Sequence, residues 1–263
     1  MRTTSTQHMR AKKPRVLLFG DSHCYAVQRA VERRVKRGKP VPLIVHRLLK
    51  THWSGRPLGD TRFEDFLEII RSLAQDDVVL SMIGGNQHAA ISTIQHPQRF
   101  DFVERRGEAP FDPEAEIVPY RMLAVYFASA LGQGDGKSLR ALRSATKARV
   151  IHILPPPPKR DNAFIEQYHE TVFAREGINA QGVSTPELRI KFWQLQTKTL
   201  KKLASKLNIE LMLPPAAALD EAGFLARDYY ANDATHANPD YGELVLRNIE
   251  KRYSHRSIST GQQ

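Results

Sequence analysis

A single cysteine, Cys24, stands in 263 residues, which excludes an intrachain disulfide framework. No Cys/His cluster has the spacing of a zinc site. No apolar run approaches the ~20 residues that a membrane-spanning helix requires. The N-terminal stretch MRTTSTQHMRAKKPR lacks acidic residues and has no apolar h-region. It predicts a disordered basic tail over 1–13 rather than a secretory signal, and a cytoplasmic location is expected. Aromatic residues do not interleave with the basic runs at Arg10–Arg15, Arg33–Lys39 and Lys198–Lys206, as base-stacking sites would need. The net charge of +11 is therefore read as a solvated basic surface. Neither a nucleic-acid partner nor membrane insertion is expected.

What remains is ordinary globular material, 41% apolar and 25% charged. The chain is long enough for one large α/β domain or two small ones. Five short apolar runs read as buried strands: 15–20 (RVLLFG), 42–46 (PLIVH), 77–83 (DVVLSMI), 149–154 (RVIHIL) and 209–213 (IELML). Each is nearly continuous rather than alternating, the pattern of parallel strands covered on both faces. Helical stripes lie between them, through Ala26, Val27, Ala30, Val31 and Val35, then Phe63, Phe66, Leu67 and Ile70. A third, introduced by Thr185-Pro186-Glu187, runs through Leu188, Phe192, Leu195, Leu200 and Leu203. This alternation predicts an α/β domain with a parallel sheet.

The span 96–147 is longer than one crossover needs. Its first half, with Pro97, Pro110, Pro113 and Pro119, reads as loop. Its second half holds two helical patterns, 120–131 and 138–147, broken at Gly132-Gln133-Gly134-Asp135-Gly136. An insertion bordering the site is expected. Pro155–Pro158 form a rigid extended stop. A polar disordered tail is expected over 254–263, leaving 14–253 as the domain.

Four places carry chemistry. In Gly20-Asp21-Ser22-His23 a buried strand gives way to a helix. A serine there sits at the sheet's C-terminal edge and at a helix N-terminus, which favours a developing anion. Taken alone, the turn is equally a helix cap. In Gly59-Asp60-Thr61, after the second strand, a glycine can bring its N–H close to a ligand. Ile83-Gly84-Gly85-Asn86-Gln87-His88 follows the third strand and offers the Asn86 amide at the sheet edge. In Asn232-Asp233-Ala234-Thr235-His236 the carboxylate and imidazole are three apart in a loop. Such a loop lets Asp233 accept from one ring nitrogen while the other faces a nucleophile. Each of the last three blocks, taken alone, is also an ordinary turn or cap.

In conjunction the blocks resemble those of the SGNH hydrolases, also called GDSL esterases. Gly20-Asp21-Ser22 is similar to that family's Gly-Asp-Ser block. Gly59-Asp60-Thr61 is similar to its second, Gly84-Gly85-Asn86-Gln87 to its Gly-X-Asn-Asp, and Asp233-Ala234-Thr235-His236 to its Asp-X-X-His. The resemblance spans residues 14–252. It implies a three-layer α/β/α, flavodoxin-like fold around a central five-stranded parallel sheet, with the insertion at 96–147. It also implies Ser22 as nucleophile, His236 as base and Asp233 as its orienter. The implied oxyanion donors are the N–H groups of Ser22 and Gly59 and the side chain of Asn86. No metal or organic cofactor is implied. Gln87 departs from the family's aspartate, and His23 occupies a position where the family varies. His23 and His88 are candidate substrate contacts. Cys24 reads as a small buried apolar residue. The implied activity is hydrolysis of small acyl esters, acetyl and carbohydrate-borne esters among them. The alternatives are an O-acyltransferase using the same residues and a non-catalytic module binding a glycan or anionic polymer. A binding module has no need of the complete Ser22, Asp233 and His236 set.

Overall fold

The computed structural model describes residues 14–51, 55–104 and 111–254. The chain begins with β1 (Val16–Gly20), α1 (Cys24–Lys36), β2 (Leu43–Arg47), β3 (Lys50–Thr51), β4 (Pro57–Leu58) and α2 (Phe63–Arg71). It continues through β5 (Val78–Met82), α3 (Gln87–Ser92), β6 (Phe100–Asp101), β7 (Glu116–Ile117), α4 (Tyr120–Gln133) and α5 (Asp135–Ala145). Then come β8 (Arg149–Ile153) and three short helices, α6 (Asn162–Gln167), α7 (Thr171–Arg175) and α8 (Ile178–Gln181). It closes with α9 (Pro186–Lys206), β9 (Glu210–Met212) and α10 (Pro239–Ser254).

The central sheet has the order β2-β1-β5-β8-β9, and every neighbouring pair is parallel. Parallel neighbours need crossovers, and helices supply them on both faces. The chain runs outward from β1 to β2 and then back past β1 to β5. That reversal between β1 and β5 is where doubly wound sheets bind ligands, beyond the strand C-termini.

Alternation along each strand splits the core in two. Val16, Leu18, Leu80, Met82, Ile151 and Ile153 cluster with Val27 and Ala30 of α1 and Tyr241, Val245 and Ile249 of α10. Leu17, Phe19, Val79 and Val150 cluster with Phe66 and Ile70 of α2 and Leu139 and Leu142 of α5. Phe19 and Phe66 stack with ring centroids 4.3 Å apart. A third cluster joins Phe127 and Leu131 of α4 to Leu188, Phe192 and Leu195 of α9.

α1 and α10 lie close together. A Cβ on Gly242 would fall 2.1 Å from the Ala26 carbonyl oxygen, so a larger residue cannot occupy that crossing as it stands. Arg33 pairs with Asp240 and Arg34 with both Glu243 and Glu250. Part of the basic run at 33–39 therefore holds two helices together rather than merely facing solvent.

Three expectations change. β2 is an edge strand, and Ile44 is 55% exposed, so its apolar run is not covered on both faces. The glycine-rich stretch 132–136 is mostly helical: α4 reaches Gln133, α5 starts at Asp135, and Gly134 alone separates them. α5 packs its Leu139 and Leu142 against the sheet face and is the crossover to β8, so the extra material precedes it. The expected C-terminal tail overlaps α10 at Ser254. The rest of it, and the tail over 1–13, lie outside the described residues. Among the described residues no helix is long and apolar enough to cross a membrane.

Candidate active site

All four blocks lie beyond strand C-termini or in the loop before α10. β1 ends at Gly20, whose carbonyl accepts from Leu48 N–H at 2.8 Å. No side-chain bond caps α1 at His23. Instead Asp21 reaches across to the third block, where its Oδ2 accepts from Gly84 N–H at 3.1 Å and from Lys50 Nζ at 3.3 Å. Asp21 thus ties the Ser22 turn to the end of β5. Gly59 (φ +88°) sits against the Leu48 carbonyl at the end of β2. Beside it, Asp60 Oδ1 accepts from Arg47 N–H at 3.0 Å and from Thr61 Oγ1 at 2.6 Å.

In the third block Gly84 and Gly85 have φ of +70° and +88°, in the left-handed region that favours glycine. A Cβ on Gly84 would fall 2.1 Å from the Asp135 carboxylate. Asp135 lies at the start of α5 and accepts from Gly85 N–H and from Gln87 Nε2, both at 2.9 Å. The sequence departure at Gln87 now has an explanation. The carboxylate that braces this loop comes from α5, and Gln87 donates to it. Asp135 belongs to the crossover helix α5, so this contact does not bring the extra material that precedes α5 to the site.

Asn86 precedes α3, and its Oδ1 accepts from His23 Nε2–H at 2.6 Å. That bond leaves the Asn86 amide N–H groups free of His23. It also fixes the tautomer of His23, whose Nδ1 is buried without a partner. Burial, and then the charge of His236, pull the His23 imidazole down to about 4. His88 is buried too. Its Nδ1 lies 3.0 Å from the Gly85 carbonyl and 3.3 Å from Gln196 Oε1, so the ring braces the glycine loop. It also lines a small pocket with Ser92, Thr93, Lys159 and Thr235. Cys24 is fully buried, and burial pushes its thiol up to about 12.

The 231–236 loop is held by charge. His236 Nδ1–H donates to Asp233 Oδ2 at 2.9 Å. Asp233 Oδ1 accepts from the N–H groups of Thr235 (3.0 Å) and His236 (2.7 Å). Lys159, fully buried, donates to the carbonyls of Ala231 and Asp233 and lies 3.4 Å from Asp233 Oδ1. The rings of Phe164 and Tyr230 flank its ammonium at 4.9 and 5.1 Å. Burial draws Lys159 down to about 8.

Glu170, which precedes α7, brings a second carboxylate to within 3.3 Å of His236 Nδ1. Its Oε2 accepts from Ala234 N–H at 3.0 Å and its Oε1 from Thr235 Oγ1 at 2.9 Å. Burial works against a charged His236. The hydrogen bonds to Asp233 and Glu170 overcome it and lift the imidazole to about 9. Burial likewise opposes ionisation of Asp233, but the His236 bond holds its carboxyl below the usual range.

Glu170, Asp233 and His236 place three potential metal-ligand atoms within 4.8 Å of one another. These atoms already accept from, or donate to, the loop. With the Lys159 ammonium beside Asp233, the set fits an imidazolium better than a divalent cation.

The rings of His236 and His23 lie 4.9 Å apart. The Ser22 turn and the His236 loop therefore meet. His236 Nε2 is buried without a hydrogen-bond partner, so it is not bonded to Ser22 Oγ. Glu170, Lys159 and Asp135 carry no signal in the sequence that marks them for the site.

No family model matches the chain, and no curated protein matches it. Solved structures do. A carbohydrate acetylesterase from Sinorhizobium meliloti is 15% identical, with a TM-score of 0.45 over 92% of this chain and 99% of that one. A GDSL-like lipase from Bacteroides thetaiotaomicron is 15% identical, with a TM-score of 0.42 over 91% of this chain and 87% of that one. Phospholipase A1 from Streptomyces albidoflavus is 12% identical, with a TM-score of 0.45 over 89% of this chain and 98% of that one. At such identities and TM-scores these likenesses carry no argument about activity. The four blocks are where this sequence resembles the SGNH hydrolases, and the five-stranded parallel sheet between helices is the fold that resemblance implies.

Proposed function

We propose that this chain is a serine-dependent ester hydrolase of the SGNH type, acting on small acyl esters through an acyl-enzyme on Ser22. One observation carries the reading. The Asp233–His236 pair meets the Ser22 turn at the sheet's ligand-binding edge, and His236 Nε2 is buried with no partner of its own. Among the described residues His23 and His152 also bury one unpartnered ring nitrogen, but only on His236 is the other nitrogen bonded to a carboxylate, the arrangement a general base needs.

In this mechanism neutral His236 takes the Ser22 proton on Nε2 as Oγ attacks the ester carbonyl. Asp233 stabilises the resulting imidazolium through Nδ1. The oxyanion is received by the N–H groups of Ser22 and Gly59 and by the Asn86 amide, each worth about 3–4 kcal/mol in well-studied hydrolases. His236 then protonates the departing alcohol, and water attacks the acyl-enzyme with the roles reversed. The Ser22–His236 bond forms in the substrate complex, since catalytic hydrogen bonds in ligand-free sites are often long.

The test is chemical. A fluorophosphonate should label the wild type and spare Ser22→Ala. A panel of p-nitrophenyl esters, run with and without sugar acceptors, should show hydrolysis of short acyl chains. Labelling that persists in Ser22→Ala overturns the nucleophile, and acyl transfer that requires a sugar acceptor replaces hydrolysis with transfer.

A further inference from the structure

We propose that Glu170 is a positioning residue for His236: from a segment outside the four blocks it supplies a second carboxylate to Nδ1 and so fixes the pH range over which the site works. The inference rests on the reading of His236 as base.

A serine, histidine and aspartate set needs one carboxylate on the imidazole. Here Nδ1 faces two, Asp233 Oδ2 at 2.9 Å and Glu170 Oε1 at 3.3 Å. The charges around the ring do not cancel evenly. Lys159 lies 3.4 Å from Asp233 and offsets that carboxylate. Among the described residues Glu170 forms its ion pair with the His236 ring, and Lys159, bonded to Asp233, acts on Glu170 through charge alone. Its two oxygens accept from Ala234 N–H and Thr235 Oγ1, neutral groups that hold it in place without cancelling its charge. The remaining group against the ring is His23, at the head of α1, which burial keeps neutral. The counterion that fits Glu170 is therefore a protonated His236.

The direction of the effect follows. Burial disfavours the imidazolium, the two carboxylates favour it more strongly, and His236 is lifted to about 9. Near neutral pH most of the enzyme then carries a protonated base. The fraction able to accept the Ser22 proton grows about tenfold per pH unit until the ring is neutral. Glu170 holds the loop in register, but it also withholds the base.

The experiment titrates the imidazole directly. His236 is followed by proton–carbon NMR of its ring between pH 5 and 10.5 in the full chain, assigned with His236→Ala. Wild type, Glu170→Gln and Glu170→Asp are compared, and ester hydrolysis is measured over the same range. In wild type the His236 midpoint should lie well above 7, and the acid limb of kcat/KM should share it. Glu170→Gln should lower both by about one unit or more and raise turnover at pH 7 several-fold, whereas Glu170→Asp should keep both within a few tenths of wild type. A wild-type midpoint at or below 7 overturns the proposal, whatever the variants do. So does a Glu170→Gln profile that drops at every pH with an unmoved midpoint, the signature of a loop brace alone. The two failures are separable. An ordinary imidazole midpoint in an active enzyme removes Glu170 from this role. Absent turnover and labelling at every pH removes the esterase reading.

Discussion

Two histidines 4.9 Å apart are driven in opposite directions. His23, in the turn after β1, is bonded to a neutral amide and held uncharged near 4. His236, in the loop before α10, is bonded to two carboxylates and held charged, near 9. The difference extends to their surroundings. The strand-end turns are fixed by backbone geometry, with glycines at positive φ and amides on Asp21 and Asp135. The His236 loop is closed at its base by a single antiparallel bridge between Tyr230 and Ala237 and is held inside by Lys159, Asp233 and Glu170. A site assembled from both kinds of element should respond in two ways to perturbation. Changes on the strand side should cost rate alone, and changes on the loop side should cost stability as well, with the rate at a given pH following the charge left on His236.

The largest effect expected is on turnover. Ser22→Ala and His236→Ala should each lower kcat by about 10⁴-fold or more. Their melting temperatures should separate them. Ser22→Ala should melt like wild type, whereas His236→Ala should lose about 2–3 kcal/mol because it leaves two carboxylates facing an empty space. Equal melting of the two would erase the contrast.

Lys159→Met is next. It removes a fully buried cation from Asp233 and from two loop carbonyls, and should cost about 3–5 kcal/mol in urea unfolding. A loss under about 1 kcal/mol would mean that the loop is not held by charge. Asn86→Ala should lower kcat by about 10²-fold with little change in KM, since the contact strengthens in the transition state. An effect mainly on KM would move Asn86 to ground-state binding.

The pH dependence of stability should have two flanks. His236 has a folded value above its unfolded one, so its contribution is complete below about 6.5 and disappears as pH rises through about 9. At about 1.4 kcal/mol per unit, roughly 3 kcal/mol is at stake. His23, His88 and His152 are lowered to about 4 by burial, so their contribution is present above about 6.5 and disappears as pH falls toward 4. Glu170→Gln should flatten the alkaline flank and leave the acid flank in place. A variant that flattened both would show that the two histidines are not independent. Smallest of all, Arg33→Gln at the exposed Asp240 pair should change stability by under about 1 kcal/mol, because solvent screens that charge.

Much of the fold was legible in the sequence, for a physical reason. Parallel strands are short, nearly continuous apolar runs, and all five such runs are strands of the central sheet, with ends displaced by at most one residue, although β2 and β9 lie at its edges. The glycines at 84 and 85 also announced the backbone they adopt. What could not be read was whatever depends on tertiary partners. PLIVH looks like a buried strand, but sheet order puts it at an edge. Gly132–Gly136 looks like a break, but packing carries helix almost through it. The site divides in the same way. Ser22, Asn86, Asp233 and His236 sit in short local patterns at strand ends or in one loop. Glu170 and Lys159 act over 60 to 75 residues of chain, and an isolated glutamate or lysine has no local pattern to betray it. His23 falls between the two kinds. Its nearness to the site was evident, but its bond to Asn86, 63 residues away, was not.

The crossing of α1 and α10 has a consequence of its own. Ser22 sits two residues before α1 and His236 three residues before α10, so the two groups ride on the leading ends of one helix pair. That pair is closed to backbone contact where Gly242 meets the Ala26 carbonyl, about one turn into each helix. In mechanical terms it is a caliper, with its jaws at Ser22 and His236 and its pivot at a residue that touches neither. The gap between the jaws then depends on helix packing as well as on the charges that hold the loop. The outer faces of both helices are free to drift in sequence, whereas a single methyl group at the pivot would pry the jaws apart.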